Sequence, residues 1–185
     1  MMNAKLKRKP DMNRRRFMVG AAGLTFGVAA GVPALVKSGA ARAADKDVAI
    51  NHYVTISTDG TIAIMSPAAE MGQGSLTSLP LILAEELDAD WAKVRVVPAP
   101  PLEKLYGNPG FSGLMYTAGS FTINGYFPAL RTFGAQVRLV LLENAARHWK
   151  VTLVELATIP NVVLHEKSGR RLGYGEIAAF AQIPA

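Results

Sequence analysis

Residues 17–36, FMVGAAGLTFGVAAGVPALV, contain no charged side chain and no amphipathic period, and basic residues crowd the chain just before them. No globular core uses such a run as an ordinary surface element, so it separates a leader from the part that folds. A basic region ends in NRRRFM (Asn13–Met18), the uncharged run follows, and SGAARAADK supplies small residues at Ala41 and Ala43. This is the three-part order of a secretory signal. Arg14-Arg15-Arg16-Phe17-Met18 matches the twin-arginine pattern, in which two arginines precede Phe by two places. A single membrane anchor is the competing reading, since the run is about long enough to span. Four glycines, Pro33 and the small-residue site argue for export. Residues 1–43 are therefore read as a twin-arginine signal and 44–185 as the folding part.

That division changes the meaning of the charge. The chain carries +6 overall, but nine of its 20 Lys/Arg and only one of its 14 acids lie in residues 1–43. The remainder holds 11 basic and 13 acidic residues, a net of −2, so a basic nucleic-acid surface is not expected. The chain has no cysteine, which excludes disulfides, thiolate metal sites and an iron–sulfur cluster held by this chain.

The pattern after residue 43 predicts a mixed α/β (α+β) domain. HYVTISTDGTIAIMSP (His52–Pro67) alternates on both sides of Asp59-Gly60 and reads as a β-hairpin. LTSLPLILAEELDADW (Leu76–Trp91) reads as a buried helix whose start lies between Gly74 and Leu79, with Pro80 in its first turn. Glu85, Glu86, Asp88 and Asp90 read as its solvated end. VRVVPAP (94–100) is a short strand, and residues 101–120, dense in Gly, Pro, Asn and Ser, form one long loop of functional length. A long helix is expected over 125–150, with Phe127, Leu130, Gly134, Val137, Leu141 and Ala145 as its apolar stripe and Glu143–Arg147 as an i,i+4 pair. A strand (161–166), a turn (167–170) and a short helix close the chain.

Two stretches invite chemistry. Gly72-Gln73-Gly74 sits between a strand end and a helix start, where glycines permit positive φ and free amides attract anionic or polar ligands. Gln73 can donate and accept together. A plain turn remains the alternative. Thr117, Ala118, Gly119, Ser120 and Thr122 stand at the entrance of the second helix, with hydroxyls and open amides; helix capping by Ser120, Thr122 or Asn124 is the alternative there. His52, His148 and His165 share no ligand spacing and read as surface or packing residues. Glu70 reads as a surface or capping residue, and Tyr106, Phe111 and Tyr116 as core.

EMGQG followed by an apolar helix, the TAGSFTINGY stretch, MGQGSLTSLPLILAEELDADWAKVRV and GRRLGYGEIA together resemble the molybdopterin-binding large subunit of the xanthine dehydrogenase family. Within it they look most like the isoquinoline oxidoreductase and aldehyde dehydrogenase branch. The resemblance implies a molybdopterin cofactor, in bacteria usually the cytosine dinucleotide form, held without cysteine. It implies an oxidoreductase that hydroxylates an N-heterocycle or oxidises an aldehyde with water as the oxygen source. Electrons would leave through a separate small subunit with two [2Fe–2S] clusters, often then to a cytochrome c, in the periplasm or at the inner membrane. Gly72, Gln73 and Gly74 would contact the cofactor near its metal end, and Thr117, Ala118, Gly119, Ser120 and Thr122 its pterin and phosphates. The chain departs from the family in two ways. The family's catalytic glutamate lies in a GxGE segment, and LGYGE (Leu172–Glu176) reads as a helix start instead, so no catalytic or metal-ligating residue is assigned and the chain alone is expected to be inactive. Ala118 also stands where the family tends to have glycine. The implied partner set then includes the rest of a large subunit, split or truncated. A non-catalytic exported assembly subunit and a periplasmic small-ligand-binding domain are the other readings.

Overall fold

The computed structural model describes residues 47–183; the export signal expected over 1–43 lies outside them. Four strands make the first sheet, in the order β1 (Asp47–Ala49), β2 (Val54–Ser57), β3 (Ile62–Ser66) and β4 (Val94–Pro98). The β2–β3 hairpin forms where alternation predicts it, with Val54 opposite Ile64 and Ile56 opposite Ile62. Asp59 fixes the turn by accepting the Thr61 amide at 2.7 Å. β4 pairs parallel to β3, which requires a crossover, and α1 (Ser75–Leu87) supplies it. Strand β1 is too short, and its sequence too mixed, to register as alternation.

α1 buries Leu79, Pro80, Leu83, Ala84 and Leu87. Pro80 is its sixth residue rather than part of the first turn, so the helix gives up one backbone hydrogen bond, to the Leu76 carbonyl, and continues. The acidic end is not merely solvated. Glu86 pairs with Arg131, Asp88 pairs with Arg138 at 3.0 Å and accepts from the Thr158 hydroxyl, and Asp90 caps the 3-10 turn Trp91–Lys93. These partners are distant in sequence and no local pattern announces them.

Residues 101–120 have structure of their own: α2 (Glu103–Tyr106), a 3-10 turn (Pro109–Phe111) and a bridge between Asn108 and Leu114. Asn108, fully buried, accepts the Gly110 amide at 2.8 Å and donates to the Phe121 carbonyl at 3.2 Å. It thus ties the loop to the next helix. Tyr106 is core, as expected, and donates to the His52 carbonyl at 2.6 Å, while Tyr126 donates to the Tyr106 carbonyl at 2.8 Å. Tyr116 is exposed instead.

The long helix α3 runs Phe121–Trp149, four residues earlier than the sequence suggests. Asn124-Gly125 looks like a turn, but the helix starts beyond Ser120 and passes through Pro128. Leu130, Gly134, Val137, Leu141 and Ala145 are buried along its stripe, and Phe127 is exposed. Arg147 donates to Asn144 at 2.9 Å in place of the expected pairing with Glu143. α1 and α3 cross closely at Gly134, where an added Cβ would lie 2.4 Å from the Leu83 carbonyl oxygen.

The C-terminal part holds an antiparallel meander, β5 (Leu156–Ile159), β6 (Val162–His165) and β7 (Arg170–Gly173), followed by α4 (Tyr174–Ala178). Only β6 is legible as a strand. Half-buried β5 lacks alternation, and Arg170, the first residue of β7, reads as the end of the turn over 167–170. Asn161 joins the parts: its side chain accepts from the Asp90 amide and donates to the Gly60 carbonyl, both at 2.9 Å. His165 is buried against Ser168 at 2.6 Å, His148 stacks on Phe180, and His52 packs among Tyr53, Tyr106 and Phe133. All three are therefore packing residues.

Glu155 gives the meander a pH dependence. The Lys167 ammonium at 2.9 Å, then the Thr152 hydroxyl and amide, then His165, hold its carboxyl down to about 2 from an ordinary 4.5. A depressed carboxylate stabilises the fold fully above its unfolded value and loses that contribution as pH falls towards 2. Urea midpoints should fall more steeply below pH 4.5 in the wild type than in Glu155→Gln. Equal slopes would remove Glu155 from the acid response.

Candidate functional site

The segment joining β3 to α1 folds around Glu70. Its Oε1 accepts the amides of Gly72 (2.7 Å) and Gly74 (3.0 Å), and its Oε2 accepts that of Leu76 (2.9 Å). The turn needs positive φ at Gly72 (93°) and Gly74 (82°), which explains both glycines sterically. The Leu76 amide first, then Gly74, Gly72 and Gln73, hold the Glu70 carboxyl below the usual carboxylate range. The amides expected to be open at the start of α1 are therefore already taken by the chain's own carboxylate.

Gln73 closes the same turn. Its Oε1 accepts from the Met71 amide at 2.6 Å, and its Nε2 donates to the Ala69 carbonyl and to Ser75 Oγ, both at 2.7 Å. The Gln73 amide is exposed at the surface but committed within its own loop.

The second stretch meets the first. Thr117 Oγ1 accepts the Ala69 amide at 3.2 Å, across 48 residues of sequence. The two loops line one groove of about 360 Å³, walled by Met71, Gln73, Ser75, Thr117, Ala118, Gly119, Ser120, Thr122 and Ile123. Six of the eight candidate residues share this groove; Gly72 and Gly74 flank it, their amides turned to Glu70. Met71, Ser75 and Ile123 were not anticipated, because only the meeting of the two loops gives them a common surface. Gly119 (φ 59°) and Ser120 (φ 60°) turn the chain into α3, and the Ser120 hydroxyl does not cap the helix. The two helix entrances thus differ: α1 begins on a carboxylate, α3 without a side-chain cap from its N-cap residue.

The groove wall carries no ionised side chain. It offers hydroxyls, an amide and the backbone of a helix start, a donor set suited to a polar, anionic or heterocyclic group. Its volume falls within the range of small-molecule sites. A somewhat larger groove, about 420 Å³, runs between α1 and α3 over Leu81, Ile82 and Phe127, with Glu85, Glu86 and Arg131 at its edge. It is nearly all apolar, and Glu86 and Arg131 are already paired, so it lacks the donors such a group needs. Among the described residues, no three His, Asp or Glu side chains converge on a metal-sized site, and no helix is long and apolar enough to cross a membrane.

The family model of the molybdopterin cofactor-binding domain matches residues 2–184. Over 175 residues the chain is 44% identical to "Isoquinoline 1-oxidoreductase subunit beta" of Brevundimonas diminuta, covering 94% of this chain and 22% of that protein. It is 30% identical over 177 residues to "Membrane-bound aldehyde dehydrogenase [pyrroloquinoline-quinone]" of Gluconacetobacter polyoxogenes, again covering 94% of this chain and 22% of the relative. The chain thus spans about a fifth of the length of these curated relatives. The crystal structure of quinoline 2-oxidoreductase from Pseudomonas putida 86 superposes with a TM-score of 0.51 at 18% identity, over 68% of this chain and 15% of that one, a likeness of fold. The mixed α/β architecture and the match along nearly the whole sequence agree: the chain belongs to the molybdopterin cofactor-binding domain family.

Proposed function

We propose that residues 44–185 form one wall of the cofactor pocket in an exported molybdenum hydroxylase. The observation that carries this reading is the groove created when Thr117 binds the Ala69 amide, because it brings Gln73 and Thr117–Thr122 to one surface. The Thr117, Ser120 and Thr122 hydroxyls and the α3 entrance would hold the pterin and its phosphates, in the cytosine dinucleotide form. Gln73 would exchange its bonds inside the loop for bonds to the cofactor's metal end. When bound, the cofactor would supply a molybdenum redox centre for an oxidation in which water provides the oxygen. This chain's part is to bind, orient and shield that group. Gly173-Tyr174-Gly175-Glu176 has the GxGE spacing, but Glu176 accepts the Gly173 amide at 2.6 Å at the start of α4, so we assign proton transfer to a residue outside this sequence and expect the chain alone to be inactive.

The names of the two curated relatives point to an N-heterocycle such as isoquinoline, or an aldehyde, as substrate. The words "subunit beta" in the first support a heteromeric enzyme. We place a small [2Fe–2S] subunit beside it, a cytochrome c after that, and the remainder of a relative-length large subunit around it. We read the twin-arginine leader as an export signal and assign the complex to the periplasm, free or at the inner membrane.

Metal and pterin analysis of the complex, purified after co-expression with the neighbouring reading frames, tests the proposal. Molybdenum and pterin should be present in the wild type, and Gln73→Ala should reduce their content several-fold while the subunits still assemble. A complex lacking both would overturn the reading. One observation favours a second reading: Gln73 is fully engaged within its own loop, as in a loop with only an assembly role. Full cofactor content in Gln73→Ala would select that alternative.

A further inference from the structure

The Gly72–Leu76 turn holds three backbone amides on two oxygens of one carboxylate: Gly72 and Gly74 on Glu70 Oε1 and Leu76 on Oε2, at 2.7, 3.0 and 2.9 Å. Such a turn at the head of a 13-residue helix is the geometry that binds phosphate groups in other folds. Here the place of the anion is filled from within. Gln73 lies between the two glycines and presents only a neutral amide to the groove. No Lys or Arg lines that groove to offset the Glu70 charge.

We propose that Glu70 is a positioning residue that excludes anions from the Gly72–Leu76 end of the groove and reserves this end for a neutral, hydrogen-bonding part of the ligand. Glu70 touches no ligand. It acts through the amides it occupies and through the loop conformation that points Gln73. A ligand with both a phosphate and a neutral heterocyclic part must then lie with its phosphate away from this turn. The inference deepens the proposed function and rests on it for the identity of the ligand; the exclusion itself belongs to this chain alone.

Titrating inorganic pyrophosphate into the 15N-labelled full chain and following individual amide resonances tests it. In the wild type the Gly72, Gly74 and Leu76 amides should not respond. In Glu70→Gln, which keeps an oxygen acceptor but loses the charge, these three amides should shift saturably with pyrophosphate, while Glu70→Asp should restore the wild-type silence. Response of these amides in the wild type would overturn the proposal, as would their silence in a Glu70→Gln chain whose remaining spectrum is unchanged. If Glu70→Gln disturbs the loop, the wild-type and Glu70→Asp arms still decide, since a response in either is incompatible with exclusion. The readout needs no molybdenum, so absence of metal from the purified complex would sink the cofactor assignment without touching this result.

Discussion

Gly134→Ala should lower the unfolding free energy by about 2 kcal/mol, although alanine is the better helix former. Two effects oppose each other at this position. Replacing an interior helical glycine by alanine gains up to about 1 kcal/mol in helix propensity. Against that, the new Cβ would stand 2.4 Å from the Leu83 carbonyl oxygen and 2.8 Å from Glu86 Cβ, distances that packed atoms do not sustain. A backbone oxygen cannot rotate away, so α1 and α3 must separate. A gap of roughly 0.5–1 Å forfeits a quarter to a half of each dispersion contact across the interface. Leu79, Leu83 and Leu87 on one helix and Leu130, Val137 and Leu141 on the other are all fully buried in this core, so many contacts weaken together. Overpacking of this kind costs about 1–3 kcal/mol, and the backbone clash puts Gly134 at the upper end. Gly134→Leu should leave no folded chain. Urea titration at neutral pH measures the first effect; an alanine variant as stable as the wild type would show that the crossing has slack.

Asn161→Ala should cost about 3–5 kcal/mol, for two separable reasons. Asn161 adopts φ 60°, the left-handed region, which costs alanine about 1–2 kcal/mol. Its side chain also satisfies the Asp90 amide and the Gly60 carbonyl. Removing it leaves two polar groups in a largely buried place, at about 1–3 kcal/mol each where water cannot enter and less where it can. Asn161→Gly keeps the backbone freedom and loses only the side-chain bonds, so it should fall between the wild type and alanine. The backbone of Asn161 also donates to Asp88 and accepts from Tyr174, and both bonds survive in either variant. Urea unfolding of all three proteins measures the two contributions. Alanine and glycine variants of equal stability would show that the left-handed backbone carries no cost here.

How much of this was legible depends on how far apart the cooperating residues lie. The hairpin around Asp59-Gly60 and the Leu130–Ala145 stripe were legible because periods of 2 and 3.6 are local. The Glu70 seat is also local, at two, four and six residues, and its capping role could be read beside the glycines it serves. The three-stranded meander was not legible: its β7 edge is Arg170-Arg171, polar because it faces solvent, and β5 is half-buried without alternation. Glu86 and Asp88 looked solvated because their partners, Arg131 and Arg138, lie 45 and 50 residues away. The groove belongs to this second kind. Thr117 reaches Ala69 only after the chain has crossed α1, β4 and the folded loop, so each half was legible by itself as a helix entrance but their meeting at one surface was not.

The close crossing at Gly134 also has a mechanical side. From Gly134 to Thr122 is twelve residues of continuous helix, roughly 18 Å at 1.5 Å per residue, and Leu83 stands eight residues, roughly 12 Å, from Ser75. The two loops of the groove therefore ride on the ends of two levers hinged where the helices touch. A change of about 5° in the crossing angle would move the Thr122 end by roughly 1.6 Å, half the length of a hydrogen bond. The side chain missing at position 134 thus acts at a distance as a gauge for the width of the groove, and a ligand that needs that width inherits its tolerance from a contact it never meets.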